Sequence, residues 1–162
     1  MMERTDLQAV SGIAAVSNST FIVLERDGEY ATEASRSTVF KKIYKIDLSG
    51  ATDISDTDNT ATGKLFDGKT VEELKDAATL AKYTIKPVQK AMVADLMTDI
   101  TELYPHDKAE GLAVINPSLI AVCNDDDFGV TGKGFYKSKI LPYIKTVDKN
   151  SIYFIKLKDS LK

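Results

Sequence analysis

Short apolar runs of strand length, set apart by turn-forming residues, predict a mainly β chain of antiparallel sheets with one short helix inserted near residues 71–82. Three observations carry this expectation. Residues 112–115 and 119–123 are apolar, rich in β-branched side chains, and flank Asn116-Pro117-Ser118. Proline presets the φ of a turn's second position, and Asn and Ser hydrogen-bond local backbone, so the two runs read as a hairpin. Residues 38–48 alternate, with Phe40, Lys42, Tyr44, Ile46 and Leu48 pointing one way and Val39, Lys41, Ile43, Lys45 and Asp47 the other. The first set is largely apolar, which places it against a core. Finally, Thr70 and Glu73 make a capping box in front of Val71, Leu74, Ala77, Ala78 and Ala81, which share one helical face.

Taken in order, residues 9–16 and 20–25 form a first hairpin through Ser17-Asn18-Ser19, and Asp27-Gly28 turns the chain after it. A polar loop, 29–37, leads to the strand within 38–48. Residues 53–87 then read as a polar and helical insertion within a single domain spanning 1–162. The insertion closes at Pro87, because a residue before proline avoids the α region. Residues 99–104 read as a short helical turn before Pro105. Residues 140–144, with Pro142 inside, suit an edge or connector, and 151–157 make a final strand.

The hairpin at Asn116-Pro117-Ser118 has a chemical consequence. Folding its open ends together brings Asp107 and Glu110 toward Asn124, Asp125, Asp126 and Asp127. Carboxylates gathered at one end of a sheet repel one another unless water, a lysine or a cation screens them. Asp107, Glu110, Asn124, Asp125 and Asp127 are therefore the candidate metal ligands, and their oxygen donors suit a hard cation such as Ca2+. His106 is the sole histidine and a candidate base, with Glu110 the second catalytic candidate. Glu25 and Arg26 follow an apolar strand directly and are candidates for substrate contact, or a charge pair that closes the strand end. Cys123 ends an apolar run and reads as a small core residue.

Composition narrows the function classes. The chain is 43% hydrophobic and 28% charged with a net charge of −3, which offers no basic footprint for nucleic acid. Residues 131–162 hold eight lysines against Asp148 and Asp159, so this tail carries +6 and the rest −9. A single cysteine leaves no internal disulfide and no cysteine cluster for zinc. No apolar run is long enough to span a bilayer, and the start lacks a signal peptide's pattern, so the chain as written is expected in the cytoplasm.

Gly63-Lys64-Leu65-Phe66-Asp67-Gly68-Lys69-Thr70 satisfies the phosphate-binding loop pattern. Such a loop works only when it leaves a buried strand, so that backbone amides and a helix N-terminus converge on phosphates. Residues 55–62 are polar and acidic and are not that strand. Nucleotide hydrolysis is held only in reserve.

Four blocks together carry a family resemblance. They are Phe21-Ile22-Val23-Leu24-Glu25-Arg26-Asp27-Gly28, then Ile43-Tyr44-Lys45-Ile46-Asp47-Leu48 with Gly50-Ala51-Thr52-Asp53, then Asp107-Lys108-Ala109-Glu110-Gly111-Leu112-Ala113, and finally Asn124-Asp125-Asp126-Asp127-Phe128-Gly129. In this order the chain resembles the closing part of the phytase-like family, also described as esterase-like activity of phytase. The resemblance implies a β-propeller-like, generally exported bacterial protein assigned to phosphoester or ester hydrolysis. It also favours a strand over 88–96, where the residues alternate yet are rich in helix formers. A blade takes roughly 40 to 45 residues and a closed ring about four blades. A partial propeller of two to three blades is therefore expected, completed by the remainder of a ring or by self-association.

Two function classes are open. One is a hydrolase of a small anionic or ester substrate, in which a cation held by the acids polarises the scissile group. The other is a non-catalytic propeller part or binding module whose acids are turn formers and strand-end caps.

Overall fold

The computed structural model describes residues 8–55, 64–131 and 137–162. The chain divides into two compact units, residues 47–89 and residues 2–46 with 90–162. The larger unit holds the two sheets. The first has the order β1-β2-β3-β4, from Ala9–Ala15, Thr20–Arg26, Lys41–Asp47 and Gln89–Asp95. The second has the order β5-β6-β7, from Gly111–Asn116, Leu119–Cys123 and Ile152–Lys156. Both sheets are antiparallel and neither closes into a barrel, so the chain is mainly β and propeller-like in part.

Local chemistry explains the strand ends. Ser17 Oγ accepts hydrogen bonds from the amides of Ser19 and Thr20, which fixes the first hairpin's turn. In the second, Ser118 donates its amide to Oδ1 of Asn116 at 2.9 Å, and Gly111 pairs with Cys123 at the open end. Alternation then sorts the side chains, since a strand sends successive residues to opposite faces. Ile120 and Val122 are buried on β6 and Ile155 on β7, whereas Ile152 and Phe154 are 66% and 65% exposed.

Ile22, Leu24 and Ile43 from the first sheet share one core with Ile120, Val122 and Ile155 from the second, joined by Met97, Tyr104 and Leu161. Burying each large apolar side chain contributes roughly 1.5–3 kcal/mol. Two glycines let backbones approach. A Cβ on Gly12 would lie 3.2 Å from Cβ of Leu112, where β1 passes β5, and one on Gly111 would lie 2.0 Å from Sγ of Cys123. Ser11 Oγ also donates to the Ala109 carbonyl at 2.6 Å.

Three expectations need correction. β3 buries residues on both faces: Tyr44, on the face expected to meet a core, is 3% exposed, but Lys41 and Ile43 on the other face are fully buried, while Leu48 is 41% exposed. Lysine is tolerated there because its ammonium lies 2.9 Å from Oδ1 of Asp27 and donates to the Glu29 carbonyl at 2.8 Å. The helix near 71–82 is two pieces, a 3-10 turn at Val71–Glu73 and α1 at Ala77–Lys82. Asp76 starts the second piece by accepting the Thr79 amide at 2.8 Å, a local cap that competes with continuation of the first. Residues 99–104 form no helix: the turn falls earlier, where Asp95 accepts the Met97 amide and Asp99 accepts the Asp95 amide.

The smaller unit contains the phosphate-loop pattern. Gly63 and residues 56–62 lie outside the described residues. From Lys64 onward, Phe66 bridges Lys69 around Asp67 and Gly68, both at positive φ, and Asp67 is held by Lys82 and Tyr83. That is a tight turn with an internal carboxylate, followed by a three-residue 3-10 piece instead of a long helix.

Candidate functional site

The site grows from the end of the β5–β6 hairpin. The Glu110 amide donates to the Cys123 carbonyl at 3.0 Å, so residues 107–110 run beside 124–127 as the sequence predicts. Asn124 then staples β6 to the start of β7: its Oδ1 accepts the Ser151 amide at 2.7 Å and its Nδ2 donates to the Lys149 carbonyl and to Asp148. Asp125 accepts the Asp127 amide at 2.8 Å, and this turn carries Asp127 and Phe128 into positive φ. Phe128 is 98% exposed.

Lysines meet the acids. Nζ of Lys139, whose side chain is 5% exposed, lies 2.8 Å from Oδ1 of Asp107, 2.9 Å from Oδ2 of Asp127 and 3.4 Å from Oδ2 of Asp148. Lys108 pairs with Asp127 and lies 3.7 Å from Asp125. Burial works against the Lys139 charge, but its contacts with Asp107 and Asp127 outweigh it and raise its pKa. The hydrogen bonds from Lys108 and Lys139 hold the Asp127 carboxyl below its ordinary range.

The candidate metal ligands therefore divide. Asp107, Asp125 and Asp127 come together, Glu110 instead pairs with Arg26, and Asn124 bonds the Lys149 and Ser151 backbone and the Asp148 side chain. Among the described residues no three His, Cys, Asp or Glu side chains are disposed to hold a metal. The donors are arranged around an ammonium, and a divalent cation in that place would have to displace Lys139. Oδ1 of Asp107 and Oδ2 of Asp148 are buried and accept no well-aligned hydrogen bond. Of the two substrate-contact candidates, Glu25 is 2% exposed and held by Lys90 at 2.8 Å, and Arg26 is engaged by Glu110 and the Asp27 carbonyl.

His106 lies in a second cluster that sequence spacing does not reveal. Its Nδ1 is 2.6 Å from Oδ1 of Asp148 and its Nε2 is 2.8 Å from the Tyr153 hydroxyl. The Tyr104 ring packs on His106 edge to face at 5.0 Å and on Tyr153 at 4.8 Å, which fixes both rings. Burial pushes the His106 pKa down, opposed by its hydrogen bond to Asp148, so the imidazole is neutral near pH 7. Burial also pushes the Tyr153 hydroxyl up. Beside this trio opens a cleft of about 340 Å³, lined among others by His106, Leu141, Ile144, Lys149, Ser151 and Tyr153. A larger cleft of about 590 Å³ lies within the smaller unit, but its lining is mostly apolar and includes no histidine. The histidine–carboxylate pair borders only the smaller of these two clefts.

Asp148, Lys139 and Tyr153 are the residues that sequence reasoning missed. Each lies in the lysine-rich tail, where a charge count reads a solvated face. A buried Asp148 at 1% exposure had no local signal.

Open antiparallel sheets bearing a histidine–carboxylate pair beside a cleft define a mainly β domain with the parts for acid–base chemistry. The family model described as "Phytase-like: Esterase-like activity of phytase" matches residues 2–128, and the chain belongs to that family. Curated proteins and solved structures yielded no significant match. The matched residues include the strands β1 to β6 and the acids through Asp127, while Lys139, Asp148 and Tyr153 lie beyond them. Among the described residues no helix is long and apolar enough to cross a membrane.

Proposed function

We propose that this phytase-like domain hydrolyses a small ester or phosphoester by activating water at His106. The observation that carries the reading is the His106–Asp148 pair beside an open cleft. A neutral imidazole oriented by a buried carboxylate has the protonation state of a general base, and such a base accelerates water attack by about 10²–10⁴-fold. Asp148 holds the tautomer and stabilises the imidazolium that forms. Glu110, the other catalytic candidate, is occupied by Arg26.

A second reading has its own support: His106 is 3% exposed with both ring nitrogens hydrogen-bonded, as in a structural histidine of a non-catalytic domain. Calcium assistance draws its support from the two buried oxygens on Asp107 and Asp148, which would need Lys139 to withdraw. Hydrolysis of 4-nitrophenyl acetate and 4-nitrophenyl phosphate by wild type, His106→Gln and Asp148→Asn decides between catalysis and scaffold. The hydrolytic reading expects turnover in wild type and a loss of about 100-fold or more in His106→Gln. Equal rates in all three proteins would leave the non-catalytic domain.

A further inference from the structure

We propose that Tyr153 is the group that meets the substrate, relaying protons between it and His106, and that the substrate is a carboxylic ester. This rests on the hydrolytic reading above. The geometry begins with a conflict: the base is 3% exposed, and its Nε2 is covered by the Tyr153 hydroxyl at 2.8 Å. A carboxylate only accepts, so the proton on His106 sits at Nδ1 facing Asp148 and Nε2 presents a lone pair. The Tyr153 hydroxyl then donates to Nε2, and its oxygen, which also meets the Ser151 side chain, keeps acceptor capacity toward the cleft. Tyr153 lines that cleft together with Ser151 and Lys149.

The strand makes this placement. Tyr153 pairs with Val122 across β6–β7, on the face opposite to Ile152 and Phe154, and Tyr104 packs against its ring. Burial keeps the proton on the phenol oxygen in the resting state. In the reaction the water oxygen bonds to the acyl carbon while a water proton passes to Oη and the Oη proton passes to Nε2. The ester C–O bond breaks, and the leaving alcohol takes the proton back from Nε2 through Oη. Acid and alcohol are released with Tyr153, His106 and Asp148 restored. No covalent intermediate and no further reactant is needed.

The substrate class follows from the cleft. Leu141, Ile144 and Val147 give it apolar walls, and among the described residues Lys149 is the one lysine or arginine that lines it. A phosphomonoester dianion wants several donors or cations, whereas a carboxylic ester is neutral and suits apolar walls.

The test compares wild type, Tyr153→Phe and His106→Gln on 4-nitrophenyl acetate and 4-nitrophenyl phosphate. Phenylalanine keeps the ring packing and removes only the hydroxyl. The inference expects the acetate ester to be preferred, and kcat to fall about 100-fold in Tyr153→Phe with KM nearly unchanged. A kcat within about threefold of wild type in Tyr153→Phe, while His106→Gln is inactive, overturns the relay and leaves the hydrolytic reading standing. A preference for the phosphate ester overturns the substrate class. Inactivity of wild type on both esters overturns the hydrolytic reading and this inference with it. A proton inventory on wild type in mixed H2O and D2O does not depend on any variant folding. A curved plot, with two protons in flight, supports the relay, and a straight one overturns it.

Discussion

Nζ of Lys139 lies 2.9 Å from Oδ2 of Asp127, joining a lysine of the C-terminal tail to the turn that follows β6. The same ammonium faces Asp107 and Asp148, so one side chain holds together acids that would otherwise repel. Removing it leaves buried carboxylates uncompensated. Lys139→Met should lower stability by about 3 kcal/mol in urea unfolding, the usual cost of breaking a buried pair from one side. A change below about 0.5 kcal/mol, the size of an ordinary surface substitution, would show that the ammonium is not the counter-ion of this cluster.

Calcium competes with that ammonium. If the acids accept the ion, Lys139→Ala should show a larger calcium-dependent rise in melting temperature than wild type, and adding Asp107→Asn and Asp127→Asn should remove it. Binding at 100 times Kd stabilises the folded state by about 2.7 kcal/mol, a shift within easy reach of calorimetry. Identical melting curves with and without calcium in every variant would remove the calcium-assisted reading.

Stability should also report on His106. Its folded pKa lies below the ordinary value because burial disfavours the charged ring. The unfolded chain therefore takes up a proton first as pH falls. The contribution is fully present above the unfolded value of about 6.5 and is lost as pH drops toward the folded pKa. Melting temperature should decline between pH 7 and 5, and His106→Gln should flatten that part of the profile. The low folded pKa of Asp127 acts in the same direction further down, below the unfolded carboxylate value of about 3.9. Its side chain is 37% exposed, so salt should weaken this acid limb more than the histidine limb.

Gly111 supplies a test of packing independent of chemistry. A Cβ at this position would meet Sγ of Cys123 at 2.0 Å but Cβ of Cys123 at 3.4 Å, an ordinary contact. Gly111→Ala should therefore cost about 1–3 kcal/mol in wild type and much less in a Cys123→Ala background. Additive costs in the double-mutant cycle would mean that the thiol is not what excludes a side chain there.

The strands were legible because their information is local. Alternation and turn residues placed β1, β2, β5, β6 and β7 to within a residue or two, and the Asn116-Pro117-Ser118 hairpin brought Asp107 beside Asp125 and Asp127. The family's blocks lay in β2, β3 and β5 and in the loops beside β3, β5 and β6. On β3 the burial of Tyr44 was legible, but that of Lys41 and Ile43 on the other face was not, because a lysine pattern cannot announce that Asp27 lies ready to neutralise Lys41, and the helix near 71–82 was drawn too long because Asp76 offered a second cap.

Sequence alone thus determined a mainly β chain of this family with an acid-rich hairpin end, since short-range patterning decides strands and turns. Tertiary structure decided what the acids face. Lys139 is 12 residues from Asp127, Asp148 is 24 from Asn124 and Tyr153 is 47 from His106, each joined by a hydrogen bond across the fold. Which charge is buried against which depends on long-range packing, and desolvation, which sets the protonation of His106, exists only once the chain has closed around it.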